Sequence, residues 1–294
     1  MTFFMQMLVS GIVVGSIYAL VALGFVLIYK ASDALNLANG EFVLIGSYIC
    51  LTLVTALKLP FLVALAVTLG VCGVLGLLVE RVVLRPLLNA PTISVIMATI
   101  GLGNLLAGLV HMVWGHQTRV YPNLFPNTPV TFGEVLITPV YLWSFIIVMA
   151  LLLAFTIFFK FSKMGVAMRA VADDLQAAAS MGINVKRVFA ITWAIACIVA
   201  AVGGVLLGNI NGVNATMSVI GLTVLPVVIL GGLDSIPGAI VGGFIIGILQ
   251  SMAGGYIDPL VGGGLKEVFP FIIVILILMI KPYGLFGKGG MERV

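Results

Sequence analysis

The feature that most limits what this sequence can become is a succession of long apolar runs, separated by short stretches holding nearly all of its charge. A helix needs about 20 apolar residues to cross the roughly 30 Å hydrocarbon layer of a bilayer. By that ruler nine segments are expected: Met7 to Tyr29, Glu41 to Leu57, Pro60 to Leu78, Ile93 to Trp114, Val140 to Phe159, Val188 to Leu207, Ala215 to Gly231, Gly238 to Gly254 and Val268 to Ile280. The last three are short. In the seventh and eighth, Pro226, Pro237 and the pairs Gly231-Gly232 and Gly242-Gly243 interrupt the pattern, so each is either a re-entrant half-helix or a short tilted span. A half-helix has to be buried in protein, because broken backbone facing lipid leaves polar groups unsatisfied. The expected fold class is all-α: a polytopic transmembrane helical bundle of eight or nine membrane segments in one domain over residues 1–294.

Composition removes the soluble alternative. Only 8% of residues are charged, against about 25% in an average soluble domain, too few to cover a water-facing surface. The 14 basic residues fall between the runs rather than in a stripe or arm, which argues against nucleic acid and makes them topology signals. Arg81 and Arg85 mark one cytoplasmic loop; Lys160, Lys163, Arg169, Lys186 and Arg187 mark another. The loops Gly115 to Pro139 and Gly208 to Asn214 then lie outside. With nine crossings the N-terminus is outside and the C-terminus inside with Lys281, Lys288 and Arg293, as is Lys30; Lys266, on an outer loop, runs against the pattern. The first run has no basic segment before it and no small-residue cleavage signal, so it reads as a retained span. Cys50, Cys72 and Cys197 lie inside apolar runs without CxxC spacing, as small buried residues do.

Polar residues inside the runs are the candidates for function. Asn36, Asn39 and Glu41 surround Gly40 where the second run begins. Either Asn39 caps the helix with Glu41 in its first turn, or these groups line a solute path. Tyr18, Ser47, Tyr48, Asn104, Asn209, Asn211, Asn214 and Gln250 are further lining candidates, each open to the alternative of a helix–helix hydrogen bond. His111 and His116 have no second ligand at metal spacing. Charges do not recur through successive runs, as they do in a proton relay or voltage sensor. Small residues four apart (Gly11 and Gly15, Gly204 and Gly208, Gly238 and Gly242, Gly243 and Gly247) favour a compact bundle. No HExxH, GxSxG or carboxylate pair suggests an intramembrane enzyme.

The cytoplasmic loop 160–187 carries helix punctuation of its own. Asp173 can cap a helix with Gln176 three residues on, the run Asp174 to Met181 is alanine-rich, and Gly182 is placed to end it. Such a helix is too short to stand alone in water, so it docks on a partner or on its own bundle. Gln176-Ala177-Ala178 followed by Gly182 resembles the EAA-x-x-x-G coupling motif of binding-protein-dependent ABC importer permeases, with Gln in place of Glu and without the downstream Ile-x-Leu-Pro. Both departures resemble the branched-chain amino acid permeases of the LivH type. So do GSIYALVALGFVLIYKASDALNLANGEFVLIGSY, ERVVLRPL from Glu80, MGVAMRAVADDLQAAASMGINVKRV from Met164, LGGLDSIPGAIVGGFIIGILQ from Leu230 and KPYGLF from Lys281. The resemblance implies a bacterial inner-membrane importer with two permease subunits, commonly distinct chains, two cytoplasmic ATPases and a periplasmic binding protein. It implies that ATP and Mg belong to the ATPase, with no cofactor, metal or catalytic residue on this chain. Cargo in similar permeases includes branched-chain amino acids, urea, amides and aromatic acids. The sequence agrees in lacking GxxxxGK[ST]. Coupling then falls to Gly165, Asp173, Asp174, Gln176, Ala177, Ala178 and Gly182, with Arg169 as a charge partner. The competing class is a channel or ion-coupled carrier working without an ATPase.

Overall fold

A computed structural model describes residues 2–32, 34–87, 90–122, 130–132 and 135–287; Lys288 and Arg293, expected inside, lie outside the described residues. Every expected run becomes helix: α1 Thr2–Ser32, α2 Asn39–Thr55, α3 Phe61–Val79, α4 Thr92–Trp114, α5 Pro139–Phe161, α8 Val185–Asn211, α9 Ile220–Gly231, α10 Ile236–Met252 and α12 Leu265–Ile280. Between them lie α6 Lys163–Asp173, α7 Leu175–Ser180 and the single turn α11 Asp258–Val261. A hairpin, β1 Val130–Phe132 against β2 Val135–Ile137, pairs Val130 with Ile137 before α5. Proline sets several starts, at the N-cap of α3 and α4 and in the first turn of α5 and α10, where a missing N–H costs nothing.

Which helix is central follows from the small residues. α1 is apolar on every side, and its most apolar window is 89% buried, against 28% for α4 and for α5. Gly11 and Gly15 of α1 face Gly243 and Gly247 of α10, and a Cβ at Gly15 would sit 2.6 Å from the Gly243 carbonyl oxygen. Two of the predicted small-residue pairs are thus one antiparallel contact, in which dispersion replaces the hydrophobic drive that lipid does not supply. Around α1 lie α8, α10, α5 and α9.

The chain contains an inverted repeat that the sequence does not display. The series α1, α2, α3, α4 recurs as α8, α9, α10, α12. Each series has a long helix, a short one, and a long one that ends in a π-helical turn, Glu80–Leu84 after α3 and Ala253–Ile257 after α10. The packing repeats as well: α1 lies on α10 as α8 lies on α3, and α2 lies on α8 as α9 lies on α1. α1 and α8 also pack on one another, antiparallel, with Gly24 beside Ala196 and Gly203 beside Val21. Inverted-topology repeats related by a pseudo-twofold axis make this set of contacts. α5, α6 and α7 have no counterpart.

One expectation is corrected here. The segment 238–254 is neither re-entrant nor short: α10 continues through its π turn and α11 as a 26-residue apolar span, Ile236–Val261. Gly242 and Gly243 do not break it, because helix interiors tolerate glycine where neighbouring backbones press close. Gly242 lies against Val227 of α9 and Gly243 against Ala19 of α1.

Candidate functional site

α2 begins beside the middle of the apolar helix α4. After α1 ends at Ser32 the chain turns back on itself, and Asn39 in the first turn of α2 donates from Nδ2 to the Val21 carbonyl of α1 at 3.4 Å. Residues 34–38 are held by side chains: the Asn36 Oδ1 accepts from the Ala38 N–H at 3.1 Å, and the Thr99 Oγ1 of α4 accepts from the Leu37 N–H at 3.3 Å. Thr99 is about 10 Å along α4, counting 1.5 Å per residue from Thr92. Glu41 lies beside Gly103, the central residue of α4.

α9 makes the same turn from the opposite side. Residues 212–214 follow the end of α8, Ala215–Val219 form a 3-10 turn, and α9 runs from Ile220 back along the bundle. The two short helices meet start to start: a Cβ at Gly221 would lie 2.7 Å from the Gly40 Cα, and one at Gly40 would collide with the Ser218 carbonyl. No residue larger than glycine fits this crossing. Beside it opens a cavity of ≈ 220 Å³, lined by Glu41, Gly103, Asn104, Ser218 and Leu222. Asn104 and Val219 are exposed, and Glu41 and Ser218 half-exposed. Among the described residues Glu41 is in no ion pair. On the other flank of the 3-10 turn, a second cavity of ≈ 370 Å³ is lined by Tyr18, Thr216, Gln250, Lys266 and Glu267, and Val219 lines both.

On the basic side, Ser162 caps α6, its Oγ accepting from the Gly165 N–H at 2.9 Å. Asp174 then ends α6 and starts α7, with its backbone extended and its Oδ1 accepting from the Gln176 and Ala177 N–H groups at 2.9 Å. Gly182 closes α7 at a φ of 83°. Its N–H donates to the Ala179 carbonyl, and the Ile183 N–H to the Ala178 carbonyl, a Schellman ending. Ala178 is buried against the bundle, while Leu175 and Met181 point outward, Met181 with 84% exposure. Asn184 caps α8 through the Arg187 N–H. Next to this segment a ≈ 590 Å³ cavity holds Lys30, Lys160, Arg169, Asp173 and Asp234.

A family described as "Branched-chain amino acid transport system / permease component" matches residues 7–279. The chain belongs to that family. It is 34% identical over 99% of its length, and 98% of the relative's, to the high-affinity branched-chain amino acid transport system permease protein LivH of Escherichia coli strain K12. The permease protein BraD of Pseudomonas aeruginosa is 33% identical over the same shares. A probable LivH of Methanocaldococcus jannaschii is 29% identical over 96% of this chain and 92% of its own. Among solved structures, PsaBC from Streptococcus pneumoniae in complex with Fab covers 96% of both chains at 16% identity with a TM-score of 0.49, too loose a likeness to decide anything. This family member is therefore a multi-pass transport subunit of the membrane, not a catalytic one.

Within this permease the sequence-chosen polar residues separate into groups. Glu41 and Asn104 share the first cavity, and Tyr18 and Gln250 the second. Asn36 and Asn39 are fully buried and hold the α2 start. Asn39 does not cap: Ala38 occupies the N-cap position and no side chain bonds there. Ser47 and Tyr48 are buried in packing. The Ser47 hydroxyl bonds to Leu44, its carbonyl accepts from the Tyr121 hydroxyl at 2.8 Å, and Tyr48 stacks on Trp114. Burial, and Cys50 beside it, push the Tyr121 phenol above its ordinary pKa, so it stays a donor. Asn209 and Asn211 lie in the last turn of α8, and the Asn214 Oδ1 accepts from the Thr216 hydroxyl at 2.6 Å.

In the coupling segment Asp173 is corrected: it is the last residue of α6, and Asp174 is the cap. The helix it starts runs Leu175–Ser180 rather than from Asp174 to Met181. Among the described residues Arg169 is in no ion pair; it donates to the carbonyls of Phe159 and Lys160 and lies over the Phe159 ring, closing the end of α5. Residues 160–187 are mostly helix, not loop. Sequence reading missed Thr99, Ser218, Lys30 and the buried Glu80, which takes a bidentate pair from Arg85 at 3.0 and 3.2 Å. The string ERVVLRPL, with Glu and Arg five apart at the end of an apolar run, held the signal for that pair.

Proposed function

We propose that this chain is one of two permease subunits of an ATP-driven importer, passing a branched-chain amino acid or a similar small solute from a periplasmic binding protein to the cytoplasm. The carrying observation is the crossing of two half-helix starts at the level of Gly103, with Glu41, Asn104 and Ser218 turned outward around it. Non-helical backbone and a carboxylate at this depth are tolerated only against protein or water. A second permease subunit facing this surface supplies both, with the solute path between the two chains.

Energy enters through α7. Its outward Leu175 and Met181 suit an apolar groove on a cytoplasmic ATPase, where ATP and Mg reside. Gln176 and Ala177, both exposed, border that contact, while Ala178, Gly165 and Arg169 fix the segment to the bundle. Because Asp174 joins α6 directly to α7, and Asn184 starts α8 three residues after Met181, a push on α7 moves α5 and α8 as levers. A channel has no use for such a segment. In this reading the basic segments face the cytoplasm, with the N-terminus outside.

The test is uptake in proteoliposomes. The complete complex should take up labelled leucine only with ATP inside, and Met181→Asp should abolish uptake while the membrane subunits still assemble. Saturable leucine flux through this chain alone, without ATP or partners, would sink the proposal.

A further inference from the structure

The second cavity, outside the crossing on the α12 side, has a chemistry of its own. Its ≈ 370 Å³ lies at the small end of ligand pockets, which run about 300 to 1,000 Å³. Gln250, buried in its wall with Tyr18, has an Oε1 that accepts from nothing. A buried acceptor left unmet is costly, and an N–H brought from elsewhere would complete it. Lys266 and Glu267, both exposed, line the same space, and neither is in an ion pair among the described residues. The Lys266 stem lies across Gly254 of the α10 π turn, which directs it back over the cavity. Val219 and Ile220 supply the apolar wall.

We infer that this cavity is a station for a neutral α-amino acid in the outer half of the path. The ammonium is met by Gln250 Oε1 and Glu267, the carboxylate by Lys266, and a short aliphatic side chain lies on Val219 and Ile220. The inference rests on the proposed import reading, because only a solute path at the 3-10 turn exposes the cavity to cargo. No single charge would suffice: an amine without a carboxylate leaves Lys266 unmatched, and an acid without an amine leaves Gln250 and Glu267 unmatched.

The native cysteines of this chain, Cys50, Cys72 and Cys197, are buried, so labelling read on this subunit alone, after it is separated from its partners, reports the introduced thiol. In the complete complex in proteoliposomes, Thr216→Cys should react with a membrane-impermeant maleimide from the outer side, and leucine should slow that reaction at least ten-fold. 4-Methylpentanoate, lacking the amine, and isopentylamine, lacking the carboxylate, should each protect less than two-fold at the same concentration. Leu260→Cys, 82% exposed beyond the cavity, should react with no protection by any of them. Gln250→Leu on the Thr216→Cys background should raise the leucine concentration for half-protection at least ten-fold. If Thr216→Cys does not assemble, Thr223→Cys, from the same wall, takes its place. Equal protection by all three compounds, or no reaction at either position, overturns the station. Unprotected thiols in a complex that still imports leucine with ATP overturn the station and leave the import reading standing. A complex that imports no leucine overturns both.

Discussion

The two halves of this permease repeat a backbone and not a chemistry. At the start of α2 the turn-back is pinned by the local Asn36–Ala38 bond and by Asn39 and Thr99, each of which bonds to backbone of another segment. At the start of α9 the side-chain bonds are local, Ser218 to Ala215 and Thr216 to Asn214, apart from the weak reach of the Ser47 hydroxyl to the Met217 sulfur at 3.8 Å. The π turns differ in the same sense. The one after α3 is closed by the Glu80–Arg85 pair, whereas the one after α10 has no charge inside it and runs into Gly262, Gly263 and Gly264, all at positive φ in open space. The connections at the α2 start and after α3 are therefore held by polar side chains with little exposure, whereas those at the α9 start and after α10 rest on weaker or more exposed contacts such as Thr216 to Asn214 and the Lys266 N–H to Asp258. Lipid demands only that the backbone be satisfied, so one geometry can be kept while side chains diverge.

That contrast can be broken or sharpened experimentally. Arg85→Leu, which orphans the buried Glu80, should destabilise the protein by about 3 kcal/mol, the low end for a buried charge losing its partner because Arg85 is part-exposed. Tyr256→Leu in the π turn after α10 should cost far less, and thermal unfolding in detergent compares the two. Glu41→Leu should slow ATP-driven uptake at least ten-fold in an assembled complex, or about 1.4 kcal/mol of barrier. Ser218→Ala, on the other half-helix start, should change it less than two-fold. Equal effects would erase the asymmetry between the halves. Gly182→Val forces a β-branched residue to a φ of 83°, at a cost of roughly 1–2 kcal/mol, and should raise ATP hydrolysis per solute carried. The smallest effect is the most discriminating: Asp174→Ala should lose about 1 kcal/mol with its cap, and Asp173→Ala almost nothing, by thermal unfolding of the same complex.

The long apolar segments were legible in the sequence because lipid imposes a length rule that no tertiary contact can override. Gly182 was legible too, since a helix ending at positive φ calls for that residue. Asp173 and Asp174 were not separable: both can cap, and the choice depended on α6, whose amphipathic run ahead of them places Met168 and Val171 inward and carries the helix through Asp173. The α2 start was read as polar without its depth, because depth depends on how far the chain turns back after Ser32. The inverted repeat left no trace in residue types, since Gly40 and Gly221 share only a crossing and their neighbours, Asn39 and Ile220, share nothing. The pairing of Gly11 and Gly15 with Gly243 and Gly247 could not be read either, because each small-residue pair fits any other.

That last pairing bears on biogenesis. More than two hundred residues separate Gly15 from Gly247, so at about 5–20 residues per second α1 waits roughly ten seconds or longer before its partner leaves the ribosome. It can wait because it is oily all round, at home among acyl chains until neighbouring helices displace them. The innermost helix of the finished protein is thus an early arrival around which the rest is laid down, and damage to its glycine face would surface late, as failure to close rather than failure to insert.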